Sequence, residues 1–157
     1  MGLDTNDLIT LARPVLNCLS PEIPYSLAGE RLVIGTGLTE SNLSQLFQVG
    51  GGPAVGLWQM EPATHDWLWV WLMNGTHDSL RRKVQALMAP LPSRINQLAG
   101  NLHYAIAMCR IRYYVSPEPL PCGDDWDGLA SYWVRVYNAG GAGTTARFLE
   151  ATACLRS

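Results

Sequence analysis

Residues 26–41 read SLAGERLVIGTGLTES, and this stretch decides how the chain is interpreted. Its apolar residues recur at helical spacing, which predicts a helix over residues 25–40. Val33, Gly37 and Glu40 fall in one row of that helix, so the row ends in a carboxylate placed against apolar packing. Burial disfavours the charged form of a carboxyl group and raises its pKa, a shift that is common at functional sites.

The composition is that of an ordinary globular chain, interpreted as a single domain over residues 1–157. Of its 157 residues, 48% are hydrophobic and 15% are charged, and the formal net charge is −2. A chain of this length buries roughly two-thirds of its unfolded surface. The one basic cluster, Arg81-Arg82-Lys83, is interpreted as the solvated part of a helix, so no nucleic-acid partner is expected.

The chain carries no recognisable targeting or membrane segment. No run reaches the roughly 18 apolar residues of a membrane span, and MGLDTNDLITLARPVL lacks the features of a secretory signal peptide. We therefore expect synthesis in the cytoplasm without a standard export signal. Cys18, Cys109, Cys122 and Cys154 are too widely spaced for a zinc ribbon or a redox pair. Free buried thiols are favoured, with a disulfide as the alternative if the protein matures outside the cytoplasm.

Further helices are indicated by apolar periodicity and by the turn-forming residues between them. Pro14 is expected to bend the first helix, and Pro62 suits a first helical turn. No alternating strand pattern is present, so the fold is predicted to be mainly α. The predicted helices cover residues 5–19, residues 25–40, a segment that starts near Pro62, and residues 79–89, 93–115, 127–137 and 144–155.

Three short motifs contain the residues that are best suited to catalysis or substrate binding. The first is Glu40-Ser41, the second is GLWQMEPAT at residues 56–64, and the third is YNAGGAG at residues 137–143. In this order and spacing they resemble the lysozyme-like lytic transglycosylases. Soluble members of that family carry Glu-Ser, then Gly-Leu-Met-Gln with Pro-x-Thr, then Ala-Tyr-Asn-Ala-Gly. The resemblance covers roughly residues 25–150.

The chain departs from the family pattern at four positions. Trp58 stands where the family usually has Met, and Glu61 stands where it usually has an apolar residue. Val136 replaces the usual Ala, and Gly141 replaces the usual Pro. Of these departures, the second carboxylate bears most directly on the chemistry.

The resemblance implies a compact lysozyme-like fold. It also implies cleavage of the β-1,4 bond between N-acetylmuramic acid and N-acetylglucosamine in peptidoglycan glycan strands, without a cofactor or a metal. Glu40 is then the general acid that protonates the leaving oxygen. It next acts as the base that deprotonates the C6 hydroxyl, giving a 1,6-anhydro ring. Such an acid needs a pKa raised from about 4.3 towards 6, which burial provides. Gly37, one turn earlier, is expected to leave space for the sugar.

Glu61 leaves the outcome of the reaction open. Goose-type lysozymes, relatives with the same fold, carry Asp at the matching place in Gly-Leu-Met-Gln-Val-Asp, and that Asp is linked to positioning the hydrolytic water. This resemblance makes Glu61 a candidate second catalytic carboxylate, and an inverting hydrolase needs its two carboxyl groups about 6.5–9.5 Å apart. The alternative is that Glu61 is only an acid at a helix start before Pro62, favoured by the helix dipole.

The resemblance also implies which residues bind substrate. Gln59 is expected to bond sugar hydroxyl or acetamido groups, and Tyr137 to orient the acid or the substrate. Asn138 is expected to hold the loop of the third motif. Ser41 is expected to brace Glu40 and to form part of the substrate-binding site. The run WLWVWL at residues 67–72 is interpreted as core packing rather than as a glycan platform.

Two other classes of function are alternatives. His65-Asp66 and His77-Asp78 suggest a metal-dependent phosphohydrolase, but His103 is the only further histidine. Exposed positions are therefore favoured for His65 and His77, and no metal is expected. The second alternative is a non-catalytic lysozyme-like module with a structural or glycan-binding role.

A wall-cleaving domain without an export signal suits a phage-encoded enzyme. It fits either an endolysin or a virion-associated hydrolase that acts at the bacterial cell wall or periplasm. Phage virion or lysis proteins are its expected partners.

Overall fold

Eight α-helices form the described part of the chain, residues 2–156 of the computed structural model. No β-strand occurs within these residues, where two isolated bridges join Val55 to Phe47 and to Met60. The expectation of a mainly α fold is confirmed. The helices are α1 (Thr5–Cys18), α2 (Leu27–Ser41), α3 (Pro62–Leu72), α4 (Asp78–Ala86), α5 (Arg94–Gly100), α6 (Leu102–Tyr114), α7 (Trp126–Tyr132) and α8 (Thr145–Ala151). A π-helical turn, Trp133–Tyr137, extends α7.

Helix α2 lies at the centre and packs against α1, α6, α7 and α8. Twelve of its residues are buried, so it presents little of its surface to solvent, as expected for a helix surrounded by others. Glycines allow the neighbours to approach closely. A Cβ atom at Gly29 would lie 2.8 Å from Arg110 Nε of α6, and one at Gly35 would lie 2.6 Å from Phe148 Cζ of α8.

An ion pair around a buried carboxylate joins α1 to α2. Glu30 is 4% exposed, yet its carboxylate accepts hydrogen bonds from Arg13 Nε at 2.9 Å and Arg13 Nη2 at 3.1 Å. The hydroxyl of Tyr25 donates to the same carboxylate at 2.9 Å. These bonds satisfy the buried charge, which would otherwise be costly in an apolar interior.

The prediction of a single helix over residues 93–115 is wrong, because two helices, α5 and α6, occupy this range. The chain breaks at Asn101, whose φ of −129° and ψ of 94° lie outside the helical region. Its Oδ1 accepts from the Tyr104 N–H at 3.1 Å and its Nδ2 donates to the Leu87 carbonyl at 2.8 Å. Asn101 therefore caps α6, because its side chain competes with the backbone for hydrogen bonds.

Several smaller expectations are tested by the fold. Pro14 lies inside α1, and Pro62 occupies the first turn of α3.

Cys109 is a buried free thiol whose pKa is raised well above its ordinary value by burial. The expectation of buried thiols is wrong for Cys18 and Cys122, which carry exposed free thiols. Within residues 2–156, none of the helices combines the length and apolar character that a bilayer span requires.

Candidate active site

A cleft of about 540 Å³ opens where the end of α2 meets the start of α3 and the loop after the π-helical turn. We call it the main cleft. It brings together Glu40, Gln59, Glu61, Tyr137 and Asn138, the candidate residues of three motifs that are far apart in the sequence. Its other lining residues are Gln45, Gln48, Val49, Ala54, Met60, Thr64, Arg112, Ala139, Gly140, Gly141 and Arg147.

Glu40 is the acid at the base of this arrangement. It is half-buried as the second-last residue of α2, which ends at Ser41 with Asn42 in a left-handed cap at φ 50°. Burial raises the pKa of Glu40, while the charge of Arg147 and side-chain hydrogen bonds from Asn138 and Trp133 lower it, with the net shift upward. The negative end of the α2 dipole also disfavours the carboxylate. The site therefore makes Glu40 a weaker acid than an exposed glutamate.

Asn138 is held in place by the glycine-rich loop that follows it. Its Oδ1 accepts a hydrogen bond from the Gly143 N–H at 2.8 Å, so the loop folds back around the side chain. A Cβ atom at Gly141 would lie 2.3 Å from that oxygen. The expected loop-holding role of Asn138 agrees with this geometry.

Tyr137 links the third motif to the second. Its hydroxyl donates to the Trp58 carbonyl at 2.8 Å, and Trp58 Nε1 donates to the Val33 carbonyl at 2.8 Å. The pKa of Tyr137 is raised well above its ordinary value, first by burial and further by charges that include Glu40. Trp58 therefore anchors its turn to α2 through a side-chain hydrogen bond.

Ser41 and Gly37 serve packing rather than the cleft. Ser41 is 5% exposed and its hydroxyl donates to the Leu57 carbonyl at 2.7 Å, so the structure does not bring it among the cleft-lining residues. A Cβ atom at Gly37 would lie 2.9 Å from Leu43 Cδ2 and 3.5 Å from Trp58 Nε1. The expectation that Gly37 leaves space for a sugar is wrong, because the core fills that space.

Gln59 sits in a strained turn at the rim of the cleft. Its φ of 45° is in the left-handed region, and both its N–H, at 2.9 Å, and its Nε2, at 2.8 Å, donate to the Gly56 carbonyl. Gly56 is required there, since its φ is 81° and a Cβ atom would lie 2.1 Å from the Leu98 carbonyl oxygen. Strain of this kind concentrates at ligand-binding positions.

Glu61 lines the main cleft as the residue that precedes α3. It is exposed, and its side chain makes no capping hydrogen bond to the N-terminus of the helix. The dipole alternative explains its position in the chain, but the carboxylate is not engaged with the backbone that it could cap. Two carboxylates, Glu40 and Glu61, therefore share one cleft.

Three residues near the acid belong to none of the three sequence motifs. Arg147 Nη2 donates to the Thr39 carbonyl at 2.8 Å, which places a positive charge beside the end of α2. Arg112 lines the cleft from α6. Trp133 is fully buried, and its Nε1 lacks a geometrically satisfactory hydrogen bond within residues 2–156, although it helps to stabilise the charged form of Glu40. Of the three, Arg112 is the one that its local sequence makes conspicuous, because it is a charged residue in the largely apolar α6.

The histidines do not form a metal centre. His65 was expected to be exposed, but it is 2% exposed, with Nε2 2.8 Å from the Tyr104 hydroxyl. Its position one turn into α3 turns it towards α6, and burial lowers its pKa. His77 stacks on Trp71 with ring centroids 3.7 Å apart. In the described part of the chain, no group of three or more His, Cys, Asp or Glu side chains is placed to hold a metal ion.

Comparisons with known proteins give no further assignment. No protein-family model, no curated protein and no solved structure matches the chain. Functional inference therefore depends on the residues of the cleft and on the motifs that they form.

Proposed function

We propose that the protein is a lysozyme-like lytic transglycosylase that cleaves peptidoglycan glycan strands, with Glu40 as its acid and base. One observation supports this proposal most strongly. Three motifs far apart in the chain meet in one cleft around a half-buried carboxyl group whose pKa is raised by burial. An acid with that property can hold a proton at a pH where an exposed glutamate has lost it.

In the proposed reaction, protonated Glu40 donates its proton to the glycosidic oxygen between N-acetylmuramic acid and N-acetylglucosamine. The bond from the anomeric carbon to that oxygen breaks, and N-acetylglucosamine leaves with a new hydroxyl group. Glu40, now a carboxylate, takes the proton of the C6 hydroxyl while that oxygen bonds to the anomeric carbon. The muramic acid ends as a 1,6-anhydro sugar, no water is consumed, and Glu40 is protonated again.

The neighbours of Glu40 suit both halves of this cycle. Burial favours the acid before the first proton transfer, whereas Arg147, Asn138 and Trp133 stabilise the carboxylate that the transfer leaves. Such opposing influences suit a group that alternates between acid and base. Gln59 uses one amide N–H internally. Its carbonyl oxygen and second N–H suit sugar hydroxyl or acetamido groups.

A hydrolase is the second candidate, and the position of Glu61 favours it. Glu61 lines the same cleft as Glu40 and does not cap α3, so it is available to activate a water molecule. An inverting glycosidase uses a second carboxylate in that way. The outcome would then be a reducing end instead of an anhydro ring.

Digestion of purified peptidoglycan followed by mass spectrometry of the products tests both candidates. Anhydro ends, lighter than reducing ends by one water, are expected from the wild type and from Glu61→Gln. Reducing ends that disappear in Glu61→Gln would favour the hydrolase. Glu40→Gln is expected to release no products. If the wild type releases none either, the protein is a non-catalytic module, and full activity of Glu40→Gln would refute the assignment of the acid.

A further inference from the structure

A second cavity adjoins the main cleft beside α3. This side pocket, lined by Ala63, Thr64, Trp67 and Arg112, has a volume of about 370 Å³. Thr64 and Arg112 line both cavities, so the two are neighbours on the surface formed by α3 and α6. A polymer bound across Glu40 therefore has a path beyond Thr64.

Trp67 forms the aromatic wall of the side pocket. It is 50% exposed, whereas Leu68 is 0% and Trp69 is 5% exposed. The interpretation of WLWVWL as core packing therefore holds for Leu68, Trp69 and Leu72 but is wrong for Trp67 and for Val70, which is 72% exposed. A large aromatic side chain half open to water, beside a cavity, is a suitable surface for one face of a sugar ring.

Arg112 supplies a positive charge at the junction of the two cavities. Its side chain is half-buried and, in the part of the chain that the structure describes, it forms no ion pair. Several other arginines of the described residues, Arg82 and Arg94 among them, also lack an ion pair, so Arg112 is distinguished by its place between the two cavities. A guanidinium group keeps its charge and can donate two parallel hydrogen bonds to a carboxylate.

We propose that the side pocket is a second subsite for the glycan strand. A sugar ring stacks on Trp67, and a carboxylate of the peptide attached to muramic acid binds Arg112. This inference rests on the proposed function, because it takes the occupant of the main cleft to be a peptidoglycan strand. The subsite selects strands that carry peptides over glycans without acidic groups.

Binding to a non-cleaving parent, Glu40→Gln, separates this subsite from catalysis. Isothermal titration calorimetry would use two peptidoglycan tetrasaccharides, one with free peptide carboxylates and one with those carboxylates amidated. The parent is compared with three variants in the same background: Trp67→Ala, Trp67→Phe and Arg112→Gln. Arg82→Gln, at an exposed position on α4, is the charge-matched control. Circular dichroism confirms that each variant is folded.

We expect the parent to bind the free-carboxylate ligand more tightly than the amidated one. Trp67→Ala should weaken binding of both ligands on the order of fivefold, and Trp67→Phe should largely restore it. Arg112→Gln should remove the preference for the free carboxylates, and the Arg82→Gln control should keep it. Unchanged binding in Trp67→Ala, or a preference that survives Arg112→Gln, would overturn the subsite alone. Failure of the parent to bind either ligand would overturn the proposed function as well.

Discussion

Replacing Gly35 by Ala tests the contact that sets α8 against α2. The new Cβ atom would lie 2.6 Å from Cζ and 2.9 Å from Cε2 of Phe148, and 2.9 Å from Cγ2 of Thr152. Carbon atoms at their best separation are about 3.5–4.0 Å apart, so the methyl group needs roughly 1 Å of additional space. Phe148 and Thr152 are both 0% exposed and cannot swing outward into solvent.

The expected cost follows from these distances. Overpacking of a close-packed core costs about 1–3 kcal/mol, and the better helix propensity of Ala returns up to about 1 kcal/mol. We expect Gly35→Ala to lower the free energy of unfolding by about 1–2 kcal/mol. Because α8 carries Arg147, whose guanidinium bonds the Thr39 carbonyl, displacement of α8 should also disturb the charge beside Glu40.

Urea denaturation monitored by circular dichroism measures the change. Gly100→Ala is the matched control, since no atom lies within 4 Å of the Cβ position there and α5 ends at that residue. Its stability should be unchanged or slightly higher. Adding Phe148→Leu to Gly35→Ala removes the ring atoms in conflict, so the double-mutant cycle should show a coupling above about 0.5 kcal/mol. Wild-type stability of Gly35→Ala, or strict additivity in the cycle, would refute the reasoning.

Three further substitutions address charges in or near the core. Glu40→Gln should raise the free energy of unfolding at neutral pH by about 1 kcal/mol, because it removes a buried charge from a functional site. The pKa of Glu40 is raised by folding, so its contribution to stability is complete below about pH 4 and is lost as the pH rises through the folded value. The two proteins should therefore converge in acid, and urea denaturation at several pH values would contradict this if the difference were constant. Trp133→Phe should raise the pKa of Glu40 further, because it removes an N–H that favours the carboxylate. Carbon NMR titration of the Glu40 carboxyl group measures this, and an unmoved or lower pKa is the contrary result. Arg110→Met should leave stability unchanged or raise it by about 1–3 kcal/mol, because Arg110 Nη1 is buried without a partner within residues 2–156. A loss above about 1 kcal/mol in the same urea assay would show that the guanidinium is stabilising.

The helices and the principal cleft residues were predictable from local patterns. Helix α2 was recognised from its apolar rows, and Glu40, Gln59 and Tyr137 from motifs that occupy a few consecutive positions. Each of these features depends on neighbours in the sequence. That is why the predicted helix over residues 25–40 and the observed bounds Leu27–Ser41 differ by only one or two residues.

The remaining features depend on contacts between distant parts of the chain. The apolar spacing of α5 continues through Asn101 into α6, so periodicity alone concealed the capping role of that side chain. Arg147 carries no local motif and reaches the site only because Phe148 packs α8 against Gly35. Trp67 and Trp69 have the same local composition around them, and only the packing of α3 against α6 decides which of them is buried.

The position of the third motif depends on the number of residues in the π-helical turn Trp133–Tyr137. Its bond from the Asn138 N–H to the Trp133 carbonyl, 2.9 Å long, encloses one residue more than an α-helical bond does. An α-helical turn in its place would hold one residue fewer, so a deletion between Trp133 and Tyr137 can be absorbed by closing the wide turn into an α-helical one. An added residue cannot be absorbed in this way, and at about 100° per residue it would rotate Asn138 away from Glu40. In this segment the site therefore tolerates a shorter chain better than a longer one.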